Sequence, residues 1–314
     1  MFPGATDQQV PTDRGAIGVT VGGSGPPVLL LHGYPQTRLM WSAVAGQLAD
    51  RYTVVVPDLP GYGDSFRPVP APDHAPHGKR ALAGDLVQAM AALGHSRFAV
   101  CGHDRGGRIA YRAALDHPDR VTAVAVLDVV PTGEVWSRAD ARLALLYWHW
   151  GFLAQPPPLP ERMIGADPGA FFDLHVRRLG LGAAPGRYPP AVLATYRRQL
   201  DDPGVVQAIC EDYRAGATVD REDDDADRRA GRRITCPLLA LWAAGGALPR
   251  LYGDVLDVWR PWAADVRGSG VDASHFLAED QPDVVAAALD ELLDRAAWTA
   301  DPVSPHPRER GAPR

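Results

Sequence analysis

The sequence predicts an α/β fold in which a mostly parallel sheet is flanked by helices and carries an all-helical insertion. Short, continuous apolar runs alternate with helical stretches up to Pro131, which indicates strands buried on both faces. The alternation stops there and resumes at Leu238. The intervening stretch has helical segments and no convincing strand. Such an insertion is typical of a cap over the active end of a sheet.

The elements follow in order from periodicity and from turn residues. The first two strands, 16–21 and 28–31, are predicted to form a hairpin-like start around the glycine-rich turn 22–25. The remaining predicted strands are 53–56, 98–101, 121–127 and 238–242. Helices are predicted over 81–93, 109–115, 142–150, 170–178, 191–200, 205–214, 251–259 and 283–296.

The chain has 314 residues, 46% of them hydrophobic, and 32 basic against 38 acidic residues give a net charge of −6. No apolar run approaches the ~20 residues of a membrane span, and the first residues lack the pattern of a signal peptide. Three scattered cysteines predict neither a disulfide framework nor a metal site. The acidic balance argues against nucleic acid. We therefore expect a cytoplasmic protein with no cofactor, no metal and no membrane partner.

The same patterns predict how the chain is divided. A first part of an α/β core spans 1–131, a helical cap spans 132–233, the second part of the core spans 234–298, and 299–314 is a Pro/Arg-rich tail predicted to be disordered. An acidic run from Asp220, followed by arginines up to Arg233, predicts a solvated helix aligned with its own dipole. Lys79 is the only lysine in the chain.

The most informative motif is Gly102-x-Asp104-x-Gly106, which follows a strand and opens a helix. Small residues at these positions relieve crowding at the strained turn of a nucleophile elbow. The residue presented is an aspartate, and a carboxylate nucleophile attacks a carbon that bears a leaving group or an epoxide, forming an alkyl ester. This chemistry suits neither ester nor amide hydrolysis.

The partners of this nucleophile are predicted from their order in the chain. His275 follows the nucleophile and precedes the last helix, as the fold requires. The loop 243–247 offers no carboxylate, so Asp128, at the end of the strand 121–127, is the predicted acid that orients His275. Backbone N–H groups near Tyr34 and Arg105 are the predicted oxyanion hole. His103 and Asp272 are predicted to be structural.

Five motifs resemble those of fluoroacetate (haloacetate) dehalogenases of the α/β-hydrolase superfamily. They are HGYPQT at 32–37, GHDRGGR at 102–108, YWHW at 147–150, CEDYR at 210–214 and SHF at 274–276. The resemblance implies that Asp104 displaces halide and that Arg105 and Arg108 bind the substrate carboxylate. It also implies a halide site, formed by His149, Trp150 and Tyr213, and a homodimer.

Residue chemistry supports this interpretation separately. Arg105 and Arg108 share one face at the start of a helix, where two guanidinium groups and the helix N-terminus favour an anion. The predicted reaction converts fluoroacetate or chloroacetate to glycolate and halide through an ester on Asp104. Two departures from the family, Ala243 and Ser274, stand where glycine is expected, and neither is a predicted catalytic residue.

Three alternatives differ in what they require. An epoxide hydrolase would use the same Asp104 with cap tyrosines that donate protons, and Tyr147, Tyr188, Tyr196 and Tyr213 are available. Paired arginines beside the nucleophile have no purpose for a neutral epoxide or a haloalkane. A binding protein without catalysis would be expected to lose the nucleophile, the acid or the histidine, and all three are present.

Overall fold

The described residues of the computed structural model, 2–180, 188–296 and 298, contain one eight-stranded sheet. Its order is β1-β2-β4-β3-β5-β6-β7-β8, with β1–β2 and β2–β4 antiparallel and all other pairs parallel. The strands are Thr6–Pro11 (β1), Ala16–Gly22 (β2), Pro27–Leu31 (β3), Thr53–Pro57 (β4), Phe98–His103 (β5), Val121–Leu127 (β6), Leu238–Ala243 (β7) and Val266–Val271 (β8).

The centre of the sheet confirms the predicted parallel strands buried on both faces. Every residue of β5 and β6 is buried, and so is all but the first residue of β3 and of β4. The chain leaves β3 toward β4 on one side and continues from β5 toward β6 on the other. The carboxyl ends of β3 and β5 therefore flank a point where the strand order reverses, which is where open α/β sheets bind their ligands.

The hairpin predicted between strands 16–21 and 28–31 is wrong. These strands are β2 and β3, and β4 lies between them in the sheet. The glycine-rich turn instead crosses over the start of β4. A Cβ at Gly23 would lie 2.2 Å from the carbonyl oxygen of Tyr52, and one at Gly25 would lie 2.2 Å from that of Arg51. Both glycines also have positive φ, so the crossing requires residues without a side chain.

Two strands were missed by the sequence patterns, and both lie at an edge of the sheet. In β1 only one of the six residues is buried, and β8 contains two glycines and is mostly accessible to solvent. An edge strand does not need a continuous apolar run, so period and composition carry little signal there.

The core helices are Ser42–Leu48 (α1), Lys79–Ala92 (α2) and Arg105–Asp116 (α3), followed after the cap by Ala247–Tyr252 (α12), Val255–Trp259 (α13), Leu277–Asp280 (α14) and Pro282–Leu293 (α15). The helices between β6 and β7, called the cap below, are Thr132–Ser137 (α4), Ala141–Leu146 (α5), Trp148–Leu153 (α6), Leu159–Ala166 (α7), Pro168–His175 (α8), Pro190–Gln199 (α9), Pro203–Ala217 (α10) and Val219–Ala230 (α11). Short 3₁₀ turns occur at Arg38–Trp41, Ala75–His77 and Val176–Leu179.

Two predicted helices are interrupted. The helix predicted over 142–150 breaks at Tyr147, and the one predicted over 251–259 breaks at Gly253, whose φ is +73°. The predicted tail 299–314 lies outside the described residues, and the division of the chain at 131, 233 and 298 stays a prediction. Within the described residues, no helix combines the length and the apolarity needed to cross a bilayer.

The charge pattern predicted that the acidic helix α11 is solvated. The structure differs, because one face of this helix is buried. Asp220, Asp224 and Asp227 are buried on one face of the helix. Asp224 and Asp227 contact Arg112 of α3 at 2.6 and 2.5 Å, and Asp220 contacts Lys79 at 3.3 Å. The core supplies the opposite charges, so half of this charge run attaches the cap to the core.

Candidate active site

Asp104 occupies the turn between β5 and α3 in a strained conformation, with φ of +45°. The surrounding glycines allow the turn to be this tight. A Cβ at Gly106 would lie 2.3 Å from the carbonyl oxygen of His32, and one at Gly102 would lie 2.2 Å from that of Gly106. The motif thus forms the predicted elbow and presents a carboxylate at the carboxyl end of β5.

The loop after β3 approaches this carboxylate closely. The Tyr34 N–H donates a hydrogen bond to Oδ2 of Asp104 at 3.1 Å. A Cβ at Gly33 would lie 2.6 Å from Cβ of Asp104, which explains a glycine at this position. The N–H of Arg105 belongs to the first residue of α3, directly after the nucleophile. An oxyanion hole made from these two N–H groups stays a prediction.

Asp128 and His275, which are 147 residues apart in the sequence, meet at 2.7 Å between Oδ2 and Nδ1. The other carboxylate oxygen of Asp128 accepts from the Ala243 N–H at 3.0 Å. Burial alone would lower the pKa of His275, but the hydrogen bond and charge of Asp128 raise it above its usual value. His103 donates from Nε2 to the carbonyl oxygen of His275 at 2.8 Å, which holds the loop that carries it.

Asp104, the predicted nucleophile, is buried among positive groups. Burial alone would raise the pKa of the Asp104 carboxyl, but the charges of His275, Arg105 and Arg108, with a contribution from His103, lower it below its usual value. The carboxylate is therefore ionised at neutral pH, as a nucleophile must be.

The two arginines after the nucleophile have different surroundings. Arg108 donates from Nη1 to the carbonyl oxygen of Val130 at 2.9 Å and to Thr132 Oγ1 at 3.1 Å, and its guanidinium carbon lies 4.5 Å from the ring centre of Trp150. Its Nε is buried with no partner in the described part of the chain.

Arg105 is held by the cap. Its Nε donates to Asp212 Oδ2 at 2.7 Å, and its Nη2 donates to Oδ1 of the same carboxylate at 2.9 Å. Its guanidinium carbon stands 4.3 Å from the ring centre of Tyr213. Its Nη1 is buried without a partner among the described residues.

Cap aromatics cover the carboxyl end of the sheet. The rings of His149 and Trp150, from α6, lie 5.8 and 6.0 Å from the ring of Tyr213, from α10. Burial lowers the pKa of His149 well below its usual value, so this imidazole is neutral and carries one N–H. The three predicted halide ligands are thus brought together.

These groups enclose a cavity of about 20 Å³. A cavity of this size holds little more than a water molecule, so the closed site favours substrates with few heavy atoms. The lining residues are Tyr34, Asp104, Arg108, Asp128, Tyr147, His149, Trp150, Leu179, Tyr213 and His275. A second, more open cavity of about 330 Å³ offers a route to solvent, with Arg178 and Arg250 at its side. It shares four lining residues with the first cavity, namely Asp128, Tyr147, Leu179 and His275.

Sequence reasoning gave no role to Asp212 or to His175. Asp212 directly precedes Tyr213 in the CEDYR motif, and this position was the available signal. His175 is buried in α8, with its ring centre 4.6 Å from that of His149 and both of its nitrogens without partners among the described residues. No group of three or more His, Cys, Asp or Glu side chains in the described ranges is arranged to hold a metal ion.

Comparisons with known proteins agree with this geometry. The family model for the α/β-hydrolase fold matches residues 26–248. The chain is 45% identical to a fluoroacetate dehalogenase of a Burkholderia species over 94% of this chain and 96% of that protein. It is 32% identical to a soluble epoxide hydrolase of Corynebacterium sp. strain C12, over 84% and 88%.

A solved structure of an α/β hydrolase from Nostoc sp. PCC 7120 superimposes with a TM-score of 0.89 at 44% identity, covering 93% of this chain and 99% of that one. The fold and the family predicted from the motifs are therefore confirmed. The chain belongs to the α/β-hydrolase superfamily and, within it, is a hydrolase of the fluoroacetate dehalogenase family.

Proposed function

We propose that this protein hydrolyses a 2-haloacetate, such as fluoroacetate or chloroacetate, to glycolate and halide through an ester on Asp104. The observation that carries the proposal is a buried aspartate beside two buried guanidinium groups, of which that of Arg108 lines, together with Asp104, a cavity of about 20 Å³. A small anion whose reacting carbon lies next to its carboxylate fits this arrangement. The fluoroacetate dehalogenase relative supports the same substrate class.

In the first step, Arg105 and Arg108 hold the substrate carboxylate and direct the halogen-bearing carbon toward Asp104. A carboxylate oxygen of Asp104 forms a bond to this carbon, and the carbon–halogen bond breaks with its electron pair on the halide. His149, Trp150 and Tyr213 donate N–H and O–H groups to the leaving halide as its charge develops. Holding the reacting atoms in line in this way lowers the activation barrier by about 7–11 kcal/mol.

In the second step, His275 removes a proton from water, and the resulting hydroxide attacks the carbonyl carbon of the ester on Asp104. The Tyr34 and Arg105 N–H groups stabilise the tetrahedral oxyanion. Collapse releases glycolate, whose oxygen takes the proton from His275. The regenerated carboxylic acid then loses its own proton, so one turnover releases one proton and one halide.

Two variants test this scheme with chloroacetate and fluoroacetate as substrates. Asp104→Asn should release no halide above background, and undiminished release would refute the nucleophile assignment. His275→Asn should release one equivalent of halide and then accumulate protein heavier by one carboxymethyl group. Absence of the adduct in the intact mass of a folded variant would contradict the two-step route.

Epoxide hydrolysis is the second candidate, because Tyr147 and Tyr213 both line the cavity and an epoxide hydrolase is among the similar proteins. A neutral epoxide, however, gives no use to two buried guanidinium groups. Turnover of styrene oxide without halide release from haloacetates would favour this reading over the first.

We further propose that the protein is a homodimer, as the family resemblance implies, and that it is located in the cytoplasm, as its composition predicts. Sedimentation equilibrium on the purified protein measures the first point, and a mass corresponding to one chain would contradict it. Fractionation of the producing cells measures the second.

A further inference from the structure

A buried cluster of four charged side chains joins the cap to the core behind the nucleophile. Its members are Arg105 of α3, Lys79 of α2, Asp212 of α10 and Asp220 of α11, and each is at most 4% exposed. Two positive and two negative groups cancel, so the cluster as a whole is neutral. Buried ions are costly unless they are paired in this manner.

Asp212 is shared between two cations. Its Oδ1 accepts from both Lys79 Nζ and Arg105 Nη2, while its Oδ2 accepts from Arg105 Nε at 2.7 Å. Lys79 is also 3.3 Å from Asp220 Oδ2, and its backbone N–H donates to Asp220 Oδ1 at 2.6 Å. Because Asp212 divides its charge, it fixes Arg105 without neutralising it fully.

The donors of Arg105 are therefore divided unequally. Asp212 occupies the Nε and Nη2 edge of the guanidinium through its carboxylate, and its carbonyl oxygen accepts from Nη2 at 2.8 Å. The ring of Tyr213 covers the plane of the group. The Nη1 nitrogen has no partner in the described residues. One edge of the guanidinium is thus anchored, and Nη1 carries donors that no protein group among the described residues uses.

We propose that Asp212, with Lys79 as its counter-charge, is a positioning residue that reserves Nη1 of Arg105 for the substrate carboxylate. Asp212 lies in the cap and Arg105 in the core, so the carboxylate site is complete only when the cap is seated. The inference rests on the proposed function, because it assigns the free guanidinium nitrogen to the haloacetate.

The chain contains a matched control for this cluster. Arg112, two turns further along α3, forms a similar buried cluster with Asp224 and Asp227 of the cap. That cluster joins α3 to α11. Neither cluster lines the catalytic cavity, but Arg105 directly follows Asp104 and packs on Tyr213, which does line it, whereas Arg112 lies two turns away. Asp227→Asn therefore removes a buried carboxylate at the same interface between core and cap, and its two partners, Arg112 and Arg232, are not among the residues that line the cavity.

The experiment compares KM and kcat for chloroacetate, together with Tm, in four proteins: wild type, Asp212→Asn, Asp227→Asn and the double variant Lys79→Gln/Asp212→Asn. Both single variants should lower Tm. Only Asp212→Asn should raise KM, by about ten- to hundredfold, which corresponds to the loss of a charge-assisted interaction. The double variant restores the neutrality of the cluster as a whole, so its Tm should lie above that of Asp212→Asn, while its KM stays high.

The outcomes separate the two proposals. A folded Asp212→Asn protein with the KM of the wild type would overturn the positioning role, and so would an equal rise of KM in Asp227→Asn. If Asp212→Asn fails to fold, the KM of the double variant decides the question in the same way. Absence of halide release by the wild type would instead refute the proposed function.

Discussion

Replacing Asp128 with asparagine should separate the two steps of the reaction. Oδ1 of Asp128 accepts from the Ala243 N–H at 3.0 Å, and Oδ2 lies 2.7 Å from Nδ1 of His275. Because the Ala243 N–H requires an acceptor, the asparagine oxygen will face it and the NH₂ group will face His275. Nδ1 must then accept a hydrogen bond, and the imidazole proton moves to Nε2.

An imidazole with its proton on Nε2 cannot accept a proton from water at that nitrogen. The comparable exchange of tautomers in a Ser-His-Asp triad costs about 10⁴ in kcat, or about 5.5 kcal/mol of barrier. Ester formation needs no general base, because Asp104 is already ionised. Asp128→Asn should therefore retain the first step and lose the second by about this factor.

The assay combines rapid-quench measurement of halide with intact-protein mass. The expected result is a burst of one halide per protein, followed by nearly complete arrest and accumulation of the ester. Asp272→Asn is the control, because Asp272 lies three residues from His275, its side chain is exposed, and it should keep full turnover. Steady turnover near the wild-type rate in Asp128→Asn, or a folded variant with no burst, would refute the reasoning.

Three further predictions concern pH and packing. The acid limb of kcat should lie above pH 6.5, because the pKa of His275 is raised from that value and its neutral form acts on water; a limb below 6.5 in the pH profile would contradict this. Gly106→Ala should lower the free energy of unfolding by about 1–3 kcal/mol, since the new Cβ would overlap the His32 carbonyl. Gly84→Ala should raise it by about 0.5–1 kcal/mol, since nothing lies within 4 Å of the new Cβ and alanine suits a helix better than glycine. Urea titrations measure both changes. Burial raises the pKa of Glu279 from 4.5 to about 8. Between these pH values the folded protein keeps a proton that the unfolded chain releases. The free energy of unfolding therefore decreases as the pH rises from 4.5 to about 8. Glu279→Gln should flatten this part of the pH dependence, and an unchanged slope would show that Glu279 does not titrate as described.

The negative net charge of the chain is compatible with the proposed anionic substrate, because the site is positive locally. Two guanidinium groups surround the nucleophile, whereas much of the acidic excess lies on the surface or in ion pairs such as those of α11. Charges more than about 10 Å away are screened by ordinary salt. Capture of a small anion is therefore decided inside the cavity rather than by the whole molecule.

The fold and the family followed from local patterns. The central strands are apolar throughout because both faces are buried, and the elbow demands glycines at fixed spacing because backbone atoms would otherwise overlap. The order of Asp104, Asp128 and His275 along the chain could be read for the same reason, since each follows a strand end or precedes a helix at a defined place.

What the sequence could not determine depends on contacts between distant segments. Polar edge strands carry no apolar period, and the strand that separates β2 from β3 comes from later in the chain. The acidic face of α11 is buried only because Arg112 and Lys79 lie opposite it, and no local pattern shows a partner about a hundred residues away. By itself, the sequence determined the type of fold and the family, and it predicted the chemistry of Asp104. The tertiary structure alone decided that Asp212 holds Arg105, since a charge is buried or exposed according to what folds against it.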